Sequence, residues 1–142
     1  METSGRPSEQ LMVYMPGTGR KYELGALTGI FYADTEETES RYCASSWWLE
    51  PLSEGPGPHA HEANEELFYV VEGIMTFQLG SEFVDAPQGS FIRIPAGMTH
   101  DFMNRTTARA GVFNVFIPGG FEPQMAKIVK WYEEQEGTDA AR

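Results

Sequence analysis

Apolar residues recur along this chain in short runs of β-branched and aromatic side chains, punctuated by Gly, Pro, Asp and Ser. The runs fall at 11–15, 26–33, 42–52, 66–79, 90–94, 100–104 and 110–117, and no helical period lies between them. Many short strands at this spacing, bounded by turn residues, predict an all-β sandwich or barrel. Gly73 interrupts the longest run after Glu72, where a glycine can take positive φ, so a hairpin-like reversal is expected there. The acidic stretch 34–39 lacks the glycine and ligand spacing of a calcium loop and reads as a solvated connection.

The pattern changes once, after Pro118-Gly119-Gly120. Met125, Ile128, Val129 and Tyr132 then follow at three- and four-residue steps behind Pro123, predicting one amphipathic helix over about 122–136 that packs on an open side or end of the barrel. The tail 137–142 is expected to be disordered. A length of 142 residues suits one domain over 1–142, with a barrel core over about 10–118.

Composition narrows the function. The formal net charge of -11, with a pI near 4.6, provides no clustered cationic face for nucleic acid or an anionic membrane. Cys43 is the single cysteine, so no intramolecular disulfide can form. The first ten residues lack the basic and apolar regions of a signal peptide, and no apolar stretch is long enough to span a bilayer. A cytoplasmic protein acting on a small molecule is the expectation.

Imidazole is concentrated instead. All 3 histidines lie in two stretches, GPHAHEANEELFYVVEG and GSFIRIPAGMTHDFMN. His59 and His61, two apart, share a face if the backbone is extended, about 6.5–7 Å from each other. Glu66 can join them as the next strand begins, and His100, beyond the turn at Pro95, Ala96 and Gly97, can supply a fourth bond. The same spacing also suits loop histidines with no shared partner, because short His patterns recur by chance.

The two stretches together resemble the paired motifs of the cupin superfamily. The first motif is represented by His59, His61, Glu66 and Gly73, and the second by Gly89, Pro95, Gly97, His100 and Asn104. The fifteen residues between Gly73 and Gly89 match the intermotif spacing of compact cupins. One position departs: Ser53 stands where the first motif begins with glycine, while Gly55 and Gly57 lie nearby. The resemblance implies a single cupin β-barrel, a double-stranded β-helix or jelly roll, with a short C-terminal helix. It also implies one divalent transition metal per chain, Fe, Mn, Ni, Co, Cu or Zn, held by His59, His61, Glu66 and His100.

Around that site, Glu65 should point away from Glu66. Phe68 follows Glu66, and Phe102 follows His100, by two residues, so both can wall an apolar pocket. Trp47 and Trp48 face opposite ways on one strand, and Trp48 is taken with Phe68 and Phe102 as the candidate pocket wall. Gly97 and Pro95 turn the His100 strand inward, Asn104 ties its far end, and Arg93 pairs with an acidic neighbour outside.

Small cupins of this kind include quercetin-type dioxygenases. The resemblance therefore implies a dioxygenase acting on an enolic or phenolic, flavonol-like substrate, with Glu66 as the catalytic proton acceptor. Non-oxidative cyclase, isomerase, lyase or decarboxylase chemistry uses the same ligand set, and a non-catalytic binding module is the alternative of a different class. The resemblance also supports a homodimer, with the 11–15 strand and the C-terminal helix as surfaces.

Overall fold

In the computed structural model, which describes residues 5–140 and the side chains of residues 5–135, nine strands form two antiparallel sheets. They are β1 (Arg20–Leu24), β2 (Leu27–Ala33), β3 (Cys43–Leu49), β4 (Glu65–Glu72), β5 (Ile74–Leu79), β6 (Glu82–Pro87), β7 (Phe91–Ile94), β8 (His100–Met103) and β9 (Ala110–Ile117). Six strands are ordered β1-β2-β3-β9-β4-β7 and three are ordered β6-β5-β8. The architecture is the jelly roll of a cupin barrel, all-β but for two helices, α1 (Thr35–Thr38) and α2 (Met125–Ala140).

Alternation builds the interior. In β3, Cys43, Ser45, Trp47 and Leu49 are buried on the inner face, while Ala44 and Trp48 point out. Phe68 and Val70 of β4, Met75 and Phe77 of β5, Phe102 of β8 and Val112 and Phe116 of β9 complete one apolar cluster. Phe68 meets Phe77 edge-on at 5.2 Å between ring centres, a favourable aromatic geometry.

Gly73 takes φ 68, as a reversal requires, but its flanking strands do not pair with each other. β4 lies between β9 and β7, whereas β5 lies between β6 and β8. Gly73 is thus a corner at which the chain changes sheets rather than the tip of a hairpin. A β-carbon there would fall 2.5 Å from the Arg109 carbonyl oxygen, so the corner also needs glycine for close approach.

The run at 11–15 is not a strand. It crosses from a 3-10 turn (Pro7–Glu9) to β1 as irregular chain, with Leu11 91% and Val13 73% exposed. The sequence pattern missed β1 and β6. In β1 the inward Arg20, Tyr22 and Leu24 alternate with the charged Lys21 and Glu23, and β6 is a mostly exposed edge strand ending at Pro87.

Residues 34–39 are not simply solvated either. Asp34 is buried, with Oδ1 accepting from the Gly120 amide at 2.6 Å and Oδ2 from the Glu122 amide at 2.7 Å. It thereby fastens the approach to the C-terminal helix onto the barrel. Arg20 adds a two-pronged ion pair, with Nε and one terminal nitrogen each 2.8 Å from the Glu122 carboxylate, and Tyr22 donates to the same group. A 3-10 turn (Glu122–Gln124) leads into α2. The helix runs on through 137–140, where a disordered tail was expected, and 141–142 lie outside the described residues.

Candidate metal centre

Two short backbone ladders bring the histidines together. His59 and His100 exchange amide hydrogen bonds of 2.9 and 2.8 Å, forming an isolated bridge between the β3–β4 connection and β8. The Gly97 amide donates to the His61 carbonyl at 2.9 Å, tying the same connection to the turn before β8. Glu66 enters from β4, paired between Phe116 of β9 and Ile94 of β7. The displaced glycine has a physical account: a β-carbon on Gly55 would fall 1.7 Å from the Phe102 carbonyl oxygen. Gly57, at φ 96, donates its amide to Asp101 at 3.1 Å. The connection needs glycine at 55 and 57, while Ser53 forms an ordinary bridge to Asn104.

One donor atom from each of His59, His61, Glu66 and His100 falls within 4.8 Å of all the others. The Nδ1 atoms of His59 and His100 sit 2.7 and 2.9 Å from the Gly57 and Met98 carbonyls. Since a carbonyl only accepts, each Nδ1 carries the proton, leaving the Nε2 lone pair free for an ion. Glu66 Oε2 and His100 Nε2 form a close ion-pair contact, and His61 Nε2 lies 3.7 Å from the same oxygen. Glu66 Oε2 and His100 Nε2 are buried without a properly formed hydrogen bond among the described residues. Three imidazoles and one carboxylate brought this close together, largely shielded from water, mark a place for a cation. This donor set can hold a divalent metal.

Burial and charge act on these rings in opposite senses. Burial lowers the His61 imidazole below its ordinary value, against the attraction of Glu66. For His100, burial also works to lower it, but contact with the Glu66 carboxylate prevails and holds it above the ordinary value.

Three of the donors, His59, His61 and Glu66, line an apolar cavity of about 70 Å³ walled by Trp47, Phe68, Phe102, Phe116 and Phe121. The His61 ring sits edge-on to Phe116 and Phe121 at 5.0 and 5.6 Å. Phe68 and Phe102 reach this cavity, as counting by twos predicts, but Trp48 does not. Its indole lies on the outer face, under the Arg109 guanidinium at 4.2 Å and donating to Ser46, while its neighbour Trp47 faces in. Trp47 therefore replaces Trp48 in the pocket wall. The one-residue alternation was legible, but its phase depends on how β3 pairs with β2 and β9.

Other side chains fall where their spacing indicates. Glu65 points outward and pairs with Arg93 at 3.0 Å. Asn104 is buried and donates to the Glu50 and Ala108 carbonyls while accepting from the Thr106 amide, tying off the end of β8. Sequence reasoning passed over Asn114, which is buried beside Glu66, 3.4 Å from Oε1, and whose amide also donates to the Leu67 carbonyl at 3.1 Å. Its only sequence signal is a polar residue in the apolar run of β9.

Comparison with known proteins agrees with this geometry. A cupin-domain family model matches residues 47–116, the span that contains all four donors. A stretch of 88 residues is 33% identical to quercetin 2,3-dioxygenase of Bacillus subtilis, covering 57% of this chain and 25% of that protein. The chain thus spans about a quarter of that relative's length. Among solved structures, a predicted oxalate decarboxylase from Thermotoga maritima superposes with a TM-score of 0.61 at 19% identity, covering 65% of this chain and 80% of that one. Ectoine synthase from P. lautus superposes at 0.68 with 13% identity, covering 82% and 85%. At such identities the structural likeness is one of fold. The ordered motifs and the family match over residues 47–116 identify a cupin domain in this chain.

Proposed function

We propose that this protein is a metal-dependent enzyme, a dioxygenase that acts on an enolic or phenolic small molecule. The observation that carries the reading is the convergence of three imidazoles and one carboxylate beside an aromatic cavity. His59, His61, Glu66 and His100 would hold the metal. When bound, it supplies Lewis-acid stabilisation of an enolate or phenolate oxygen. His59 and His100 are oriented for this by the carbonyls of Gly57 and Met98. Glu66 is the one carboxylate of the cluster and would accept the substrate proton. Trp47, Phe68 and Phe102 shield that transfer from water.

The sequence likeness to quercetin 2,3-dioxygenase supports the oxidative reading. A non-oxidative reading, a metal-dependent lyase, decarboxylase or cyclase, draws support from the fold likeness to a predicted decarboxylase and a synthase. Oxygen dependence separates the two. Freshly purified protein should contain close to one transition metal per chain by elemental analysis. Turnover of enolic and phenolic compounds should require oxygen and disappear in His61→Ala together with the metal. Equal turnover without oxygen would favour the non-oxidative reading, and protein that refuses added metal would defeat both. We further propose a homodimer, supported by the exposed apolar side chains of the 11–15 segment and the outer sheet face.

A further inference from the structure

The cavity beside the four donors is too small for a multi-ring compound. At about 70 Å³ it has room for about five water-sized groups, far short of the roughly 300 Å³ at which sites for drug-sized ligands begin. A second, larger space of about 470 Å³ lies against it. Leu24, Leu27, Pro56 and Ile128 line both, so chamber and groove adjoin across these four side chains. Leu24 ends β1 and Leu27 begins β2, Pro56 comes from the connection that carries His59, and Ile128 from α2.

The groove has its own chemistry. Trp131, one of the three tryptophans, stands on its wall 58% exposed and offers the groove a broad aromatic face. Ala26, Leu52 and Tyr132 add further apolar surface, and Glu54 adds a carboxylate. Among the described residues neither wall carries a lysine or arginine, and the chain has a net charge of -11, which disfavours an anionic occupant.

We propose that the groove under α2 is a second subsite of the same ligand, so that the substrate is bipartite. A compact head bearing two oxygen atoms occupies the chamber, and an uncharged aromatic tail crosses these four shared side chains to lie on Trp131. This assignment rests on the metal-centre reading for the head, while the groove for the tail rests on Trp131, Ile128 and the shared walls.

Calorimetric titration of the Ni²⁺-loaded protein with oxygen excluded tests it, using acetylacetone as a head alone and benzoylacetone as a head with a phenyl tail. Benzoylacetone should bind about tenfold more tightly than acetylacetone, the scale of one buried aromatic contact. Trp131→Ala should bring that ratio towards one, Trp131→Phe should restore most of it, and Ile128→Trp should crowd the shared wall and weaken benzoylacetone selectively. A ratio near one in the wild-type protein, or one unmoved by Trp131→Ala, would overturn the proposal. If nickel strengthens neither dione, the metal-centre reading fails instead. The groove is then judged on metal-free protein, where benzoylacetone binding lost in Trp131→Ala upholds it and no binding removes it.

Discussion

His100 is pulled by two partners that want opposite protonation states. In the metal-free site the Glu66 carboxylate favours imidazolium and holds the ring above its ordinary value of 6.5, whereas a metal requires the neutral ring. The stabilisation that this raised value represents is fully present below pH 6.5 and is lost as pH rises through the folded-state value. Metal stabilisation has the reverse sign, because each bound ion must displace that proton. The gain in melting temperature on adding metal should therefore grow as pH rises above about 6.5. A scanning-fluorimetry series in which the gain shrinks over that range would contradict this arrangement. The same residue illustrates what one position reveals: His100 was legible as a candidate ligand from its motif, but its contact with Glu66 required β4 and β8 to be set facing each other.

At the scale of elements, the connection that carries His59 and His61 and the attachment of α2 matter most. Asp34 was read within a solvated acidic loop, because its neighbours Glu36, Glu37 and Glu39 are polar and no local signal separates it from them. The structure buries it against the amides of Gly120 and Glu122, contacts made across more than eighty residues. Asp34→Ala would strand both amides and should cost about 2–4 kcal/mol in urea unfolding. Asp34→Asn, which keeps one acceptor oxygen, should cost less. A loss within experimental error for the alanine variant would mean that α2 is held by its apolar face alone. The strands divide on the same principle. Runs rich in Val, Phe and Trp announced β3, β4 and β9, while the charged β1 and exposed β6 gave too little apolar period to be seen.

Across the whole molecule, one face remains unexplained by the barrel. On the outside of the six-stranded sheet Tyr69 lies directly between Phe91 and Phe113, all three substantially exposed. Tyr14 of the 11–15 segment packs on Tyr32 of β2 at 5.8 Å, next to the edge strand β1 of the same sheet. A second copy related by a two-fold axis is the expected cover, since a self-complementary patch closes without leaving an open end. Light scattering should give twice the chain mass of 15.9 kDa, and the double variant Tyr69→Glu, Phe91→Glu should give the monomer. A wild-type monomer at tens of micromolar would count against the dimer.

An all-β sandwich or barrel and the amphipathic C-terminal helix were legible in the sequence pattern alone, while the jelly-roll class and the four candidate donors were read from the resemblance of two ordered motifs to a family. Strand alternation, turn glycines and ligand spacing are local patterns that survive without coordinates. Gly73 as a sheet-changing corner, Trp47 rather than Trp48 in the cavity, the buried clamp of Asp34 and the groove beside Trp131 were decided only by tertiary structure. Each depends on which distant segment arrives as neighbour, and register between strands far apart in the chain leaves no mark on either strand by itself.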